Sequence, residues 1–572
     1  MTATGLGWPS GLPAALDAAI QGSRAADGPF AAARSARLDA REEFPAEACA
    51  LLDGCGIARA YVPAEFGGAP GGLPELLASL RTVARHDVTV AVAHGKTFLG
   101  AVSTWVAGSA EQRRALARRI LDEDAVVSWG LTEPGRGSDL LAGRLTATAT
   151  EAGGRRLDGT KWPVNNATRG ELISVLARTS PQGGARGFSL FLVDKNRLAE
   201  GSWRPLPKEP THGIRGADIS GIRFDGAEVP AGALTGRVGD GLEIVLKSLQ
   251  LTRTVCCSLS LGAGEHALRL VHAFAERRAL YGTTLLRLPL ARRVLGRAAA
   301  TVALADAASL MAARSAHCLT GEMSVVSALA KAGVPAIVQQ TIDELAELLG
   351  ARGFLTDRHV DGMFQKLERD HRVVAIFDGS TAVNRSALIA QFPLLGRLAH
   401  SGAHDAAGLA AAADVSALPA LDHGALRLMS RTGCSVVQGL SAAAGRLGGL
   451  AAAGAVPQRA HEVAAALAQE VTAVADAVTA LGPATRDTPP EAFALARRYE
   501  LCFAGASATH LLLADPADEA RALRLTAALE RSLELLRPGH EAPPDAYEPV
   551  LTALAEPDAS AGAAVTAKEL IA

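Results

Sequence analysis

The sequence predicts an α+β protein: a helical N-terminal domain over residues 1–127, a central β domain over 128–235, a helical bundle over 236–398, and a further helical domain over 405–572. Three observations predict it. Apolar residues recur at helical spacing up to about Ala125. Short alternating runs set off by Gly, Pro and Asp then take over. Helical spacing returns at Gly241 with few breakers. With 572 residues, 49% of them hydrophobic, the chain can bury a sizeable core in each part.

The N-terminal part opens its clearest helix at Pro45, continuing to Asp53, with proline near the first turn and Gly54 and Gly56 ending it. A turn-rich stretch, Val62 to Gly68, precedes further helices from Leu73 and from Ala110. Strands are expected at Arg144–Thr150, Leu172–Ala177, Gly187–Val193 and Ser220–Phe224, spaced as in a small β-barrel or sandwich. Helix then runs from Gly241 to about Leu395, as a four-helix type of bundle. The segment His400 to Leu421 reads as a linker. Beyond it, Ala- and Leu-rich helices are interrupted at Gly482-Pro483 and at Thr488-Pro489-Pro490, which suggests a second helical bundle docked on the first.

Charge and composition exclude several classes. A net charge of −2 and the lack of a long basic run give no electrostatic footprint for nucleic acid. Seven cysteines without a C-x-x-C pair argue against a disulfide framework, and the adjacent Cys256 and Cys257 read as buried thiols. His272, His359 and His371 lack ligand spacing, so no metal site is expected. No G-x-G-x-x-G stands in a β-α-β context, which excludes a Rossmann nicotinamide site. Met1 to Ser23 lacks the layout of a secretory signal, and no stretch reads as a transmembrane segment. A soluble cytoplasmic protein is expected.

Five motifs in order carry the functional reading. They are Trp129-Gly-Leu-Thr-Glu-Pro-Gly-Arg-Gly-Ser-Asp139, Leu157-Asp-Gly-Thr-Lys-Trp-Pro-Val-Asn-Asn166, Val229-Pro230 with Gly239-Asp-Gly241, Arg278-Ala-Leu-Tyr-Gly282, and Arg369-Asp370 with Ile376-Phe-Asp-Gly-Ser-Thr381. Phe44-Pro45 and Val62-Pro63 through Gly68 fit the same series. Over roughly residues 35 to 395 the chain resembles the acyl-CoA dehydrogenase superfamily. A flavin offers polar edges on a flat apolar ring, and short hydroxyls and backbone amides suit its rim. Gly135, Gly137 and Ser138 form a turn whose small residues admit a phosphate.

The resemblance implies FAD as cofactor, bound between the β domain, the bundle and a subunit interface. It places Trp129, Leu131, Thr132, Gly137, Ser138, Pro163, Asn165, Arg278, Tyr281 and Ser380 around it. Thr132 would bond the isoalloxazine and Ser138 the pyrophosphate. Arg278 would reach the FAD of a neighbouring subunit, where a guanidinium fork suits a pyrophosphate. Asp378 stands at the position of the base that removes the proton α to a thioester carbonyl, with Thr252 and Arg253 on the substrate side. The C-terminal helices resemble the extension of very-long-chain members, which implies a homodimer. The substrate would be an acyl-CoA or an acyl-carrier-protein thioester, and the electron acceptor an electron-transfer flavoprotein or O2.

Several residues depart from the family pattern. Asp378 replaces the usual Glu, roughly 1–1.5 Å shorter in reach, and misplacing a base by about 1 Å can cost on the order of a hundredfold. Pro163 stands where an aromatic is common, Asn165 where Thr is, Pro289 where Gln is, and Ala351 where Gly is. Trp162 fits either a core position or a stack near the flavin. Two other readings therefore stand beside α,β-dehydrogenation. One is an oxidase or monooxygenase on this scaffold, as in nitroalkane oxidases with Asp at the base position or relatives that form epoxyketones by oxidative decarboxylation. The other is a non-catalytic partner of an active paralogue.

Overall fold

The structure, a computed structural model, describes residues 6–25, 27–180, 182, 184–482 and 487–555. The expected break at Pro483 and the end of the last domain, residues 556–572, lie outside the described residues. The chain forms two compact units, one of residues 37–72 and 89–252, the other of residues 1–36, 73–88 and 253–572. The stretch from Leu73 to Val88 groups with residues far along the chain because its side chains are bonded there: Arg81, fully buried, donates to Asp306 at 2.7 Å and to Glu265.

In the unit of residues 37–72 and 89–252, eight strands form one sheet. They are β1 (Val127–Gly130), β2 (Thr146–Ala149), β3 (Arg155–Asn165), β4 (Leu172–Arg178), β5 (Phe188–Asp194), β6 (Trp203–Leu206), β7 (Ile219–Val229) and β8 (Leu234–Thr235). The hydrogen-bonded order is β6-β7-β3-β2-β4-β5-β8, with β1 parallel to β4 at the side. Four of these strands were expected. β1 and β3 lie inside the functional motifs, where polar and glycine letters hide the alternation, and β6 and β8 are too short to show one. β3 and β7 pair along nearly their whole length, with an irregularity between Lys161 and Val164 at the Trp162-Pro163 dipeptide. Proline cannot donate to a ladder, so the break falls there.

The central strand β4 is buried on both faces, which explains its unbroken apolar run. Ile173, Val175 and Ala177 pack with Phe191, Ile222 and Phe224. On the other face Leu176 packs with Phe188, Leu190, Ile244, Val245 and Leu249, against which Trp129, Leu131 and Leu140 lean. That second core anchors both ends of the Trp129–Asp139 motif. Helices Ala46–Gly54, Val88–Ala107 and Ala110–Asp122 complete the unit, the last with a capping box between Ser109 and Gln112.

In the other unit, the long helices Pro289–Cys318 and Met323–Leu349 pack on each other and carry the C-terminal helices. Pro489-Pro490 opens one of these, Pro490–Ala514, with proline at its first turn. Pro490–Ala514 and Glu519–Leu536 both contact Pro289–Cys318. The contact is bonded as well as apolar: Arg524 pairs with Asp306 at 2.5 Å, and Arg385, on the helix Thr381–Ile389, pairs with Glu500 at 2.7 Å. Trp8 donates to the same Asp306 at 2.7 Å. The segment read as a linker is partly helix, Ala406–Ala413, held by Arg314 donating to Ala412 O at 2.7 Å. Its alanines hide the helix because they carry no apolar stripe.

Three helices have the length and mean hydropathy to cross a membrane, Pro289–Cys318, Thr320–Leu349 and Gln458–Ala480, although no spanning segment was expected. The first two bury 89% and 83% of their apolar window within the protein, so their apolarity is already used in packing; the third buries 33%.

Candidate active site

The residues singled out by the motifs fall into two groups, one in each unit. In the first, β1 ends at Gly130 and the chain turns through Leu131 to Asp139. Thr132 O accepts from Trp162 N at 2.9 Å, which ties the loop to β3 next to Pro163. Gly135 and Gly137 have φ of +72° and +46° with nothing near their missing Cβ atoms, so the turn needs glycine for its backbone and leaves its face open. Ser138 and Gly137 are exposed, Thr132 half-buried. Trp162 is half-buried with its indole N–H donated to Glu209 at 2.9 Å.

Beneath this open turn lies a buried ion pair. Lys161 Nζ donates to Glu133 Oε1 at 2.8 Å and to Leu131 O at 3.0 Å. Glu133 also accepts from Arg144 N and Leu145 N, at 2.6 and 3.0 Å. Burial opposes ionisation of Glu133, but Lys161 and these hydrogen bonds together hold its carboxyl below the ordinary value. Sequence reasoning gave Glu133 and Lys161 no role. The sequence signal is that each is a charged residue of opposite sign inside one of the two neighbouring motifs.

Two buried polar atoms here have no partner among the described residues: Trp129 Nε1, a donor, and Asn165 Oδ1, an acceptor. Asn165 Nδ2 reaches Val92 O at 3.4 Å. Unpaired buried groups are costly and call for an explanation. A donor and an acceptor beside an open glycine turn fit a bound group with a polar rim on an apolar body, as an isoalloxazine has.

The second group surrounds Asp378, whose backbone is left-handed at φ +54°. Arg253 Nε donates to Asp378 O at 3.2 Å, and Cys256 Sγ donates to Asp378 Oδ2 at 3.3 Å. Gly379 follows at φ +90°, and a Cβ there would come within 3.1 Å of the Arg253 guanidinium, so two requirements converge on glycine. Gly379 O accepts from Asn384 Nδ2 at 2.8 Å and from Lys331 Nζ at 3.3 Å. Burial lowers the Arg253 and Lys331 pKa values, opposed in each case by the neighbouring Asp378 and Cys256. Ser380 caps the helix Thr381–Ile389 by accepting from Val383 N at 3.3 Å. Thr252 is fully buried, its hydroxyl turned back toward Leu249 O.

Arg278 and Tyr281 are not brought to Asp378. Arg278 follows the last residue of the Gly241–Arg277 helix, roughly 37 Å along its axis from Arg253 at 1.5 Å per residue. Both are exposed, Tyr281 at 92%. Tyr281-Gly282, with φ of +51° and +76°, forms the two-residue turn of a small hairpin, Ala279–Leu280 with Thr283–Thr284.

A helical–sheet–helical protein with an open glycine turn on the sheet and a clamped carboxylate on a long-helix bundle belongs to the flavin-dependent oxidoreductases. The sequence matches the N-terminal, middle and C-terminal domains of acyl-CoA dehydrogenase over residues 29–124, 128–227 and 239–392, more than half of the chain, and the protein belongs to that family. It is an FAD-dependent oxidoreductase. The short-chain specific mitochondrial acyl-CoA dehydrogenase of Homo sapiens is 27% identical over 365 residues, covering 61% of this chain and 83% of that one. Among solved structures, butyryl-CoA dehydrogenase from Megasphaera elsdenii superposes with a TM-score of 0.59 at 21% identity, over 66% of this chain and 95% of that one. The prolyl acyl carrier protein oxidase AnaB gives 0.60 at 20% identity, over 67% and 98%. Both show the shared fold. The residues after 392 lie outside the matched family domains.

Proposed function

We propose that the protein oxidises an acyl thioester by α,β-dehydrogenation, with Asp378 as the base. The observation that carries this is Asp378, its main-chain carbonyl held by Arg253 and its carboxylate by Cys256, in the segment that matches the family's C-terminal domain. Asp378 accepts the α proton on its carboxylate. Arg253 and Lys331 lie buried beside it. When bound, the flavin supplies the acceptor for the β hydride. Thr132, Asn165 and the Trp129 indole would hold the isoalloxazine, with Leu131 and Pro163 against it, and Gly137 and Ser138 would hold the pyrophosphate. Ser380, from its capping position, and Tyr281 complete the proposed set. Arg253, with Thr252 behind it, would line the acyl side.

Arg278 would serve the FAD of a second subunit. Its separation from Arg253 along the Gly241–Arg277 helix supports this reading, and with it a homodimer. The thioester is carried by coenzyme A or an acyl carrier protein, electrons leave to an electron-transfer flavoprotein or O2, and the protein works in the cytoplasm. An anaerobic screen of acyl-CoA and acyl-carrier-protein substrates, read by bleaching of the flavin, tests the proposal. Bleaching by wild type and none by Asp378→Asn is expected; equal bleaching by both removes the base assignment.

A second reading, an oxidase or monooxygenase, is favoured by Asp378 itself, the shorter acid. It predicts that substrate-reduced enzyme reoxidises rapidly in air, whereas a dehydrogenase waits for a protein acceptor.

A further inference from the structure

Cys256 and Cys257 are neighbours on the Gly241–Arg277 helix, but about 100° of rotation separates their side chains. Cys257 is fully buried, with its thiol toward Arg253 O at 3.9 Å, and burial pushes it up to about 12. Cys256, 3% exposed, instead meets Asp378 Oδ2 at 3.3 Å. The two positions differ in what they bond, so packing alone does not explain both thiols.

The clamps on this segment act on its main chain: Arg253 holds Asp378 O, and Lys331 and Asn384 hold Gly379 O. None of these bonds fixes the rotation of the Asp378 carboxylate about its own side-chain torsions. The Cys256 bond does. We propose that Cys256 is a positioning residue for the Asp378 carboxylate, its S–H holding Oδ2 so that the shorter acid keeps one orientation. The proposal rests on Asp378 being the base. It also accounts for how a carboxylate one methylene short can serve, since a fixed orientation limits the loss from misplacement.

Arg253 and Cys256 from one helix and Lys331 from Met323–Leu349 are among the groups near Asp378, and both cations remain when Cys256 is replaced. In Cys256→Ala kcat should fall about tenfold, with KM within about twofold. Cys256→Ser restores a donor of similar size and should recover most of the lost kcat.

The reading independent of turnover is the S–H stretch in the infrared spectrum of the holoenzyme. The band lost in Cys256→Ala is that of Cys256, and in Asp378→Asn it should shift toward a weaker hydrogen bond. An unshifted band, or a Cys256→Ala kcat equal to wild type, overturns the proposal. A shifted band together with full turnover by Asp378→Asn instead overturns the assignment of the base.

Discussion

The glycine turn at Leu131–Asp139 and the Phe377–Ser380 segment both present functional groups, yet they are held in opposite ways. The turn is supported from beneath by the Glu133–Lys161 pair, and its outer face, with Gly137 and Ser138, stays open. The Asp378 segment is gripped at successive carbonyls by Arg253, Lys331 and Asn384, and at the carboxylate by Cys256. Under the proposed function, the turn would have to admit a large ligand, which an accessible loop over a rigid base allows, and Asp378 would have to be held close to one geometry, which directly bonded neighbours provide.

The largest expected effect tests the gripped side. Asp378→Asn keeps the size and the backbone bonds but cannot take a proton. Turnover should fall by on the order of a thousandfold, with flavin content unchanged, as measured by single-turnover bleaching. Asp378→Glu sharpens the test: a pocket built around the shorter acid loses activity, whereas a merely mispositioned base gains it.

The next effect breaks the support beneath the open turn. Lys161→Ala leaves Glu133 buried with a charge and no cation, which should cost roughly 3–5 kcal/mol of stability in urea unfolding. Flavin retention should fall with it. If Lys161→Ala unfolds like wild type, the pair is not what holds the loop.

A third prediction concerns acid stability in the unit that carries Asp378. Glu265 is buried against Arg81 and Arg85; burial alone would raise its pKa, but these cations bring it down to about 2. A depressed carboxyl contributes stability that is fully present above its unfolded value. That stability is lost as pH falls from about 4.5 toward 2, on the order of 3 kcal/mol in total. Glu265→Gln should be less stable than wild type at neutral pH and should show a flatter loss of stability across that window. Parallel curves for the two proteins would locate the acid sensitivity elsewhere.

The smallest effect falls on an exposed residue. Arg278→Ala should leave unfolding unchanged within about 0.5 kcal/mol, since exposed side chains contribute little. It should weaken FAD retention about tenfold through loss of a charge-assisted contact. Unaltered retention in a dimer would exclude Arg278 from the cofactor set.

The sequence alone determined the succession of helical, sheet and helical regions, because periodicity is a local property of side chains along the chain. It also determined the glycine turn and the acid at Asp378, since each sits in a contiguous motif. Short or motif-bound strands such as β1 and β6, and the helix Ala406–Ala413, left no periodic signal to read. Only the tertiary structure decided the partners. Glu133 meets Lys161 across 28 positions, Cys256 meets Asp378 across 122, and Arg81 meets Asp306 across 225. Whether Cys256 or Cys257 faces the carboxylate turns on one step of helix rotation relative to a segment far along the chain. Such pairings arise from packing many elements at once, and no local stretch of sequence records them.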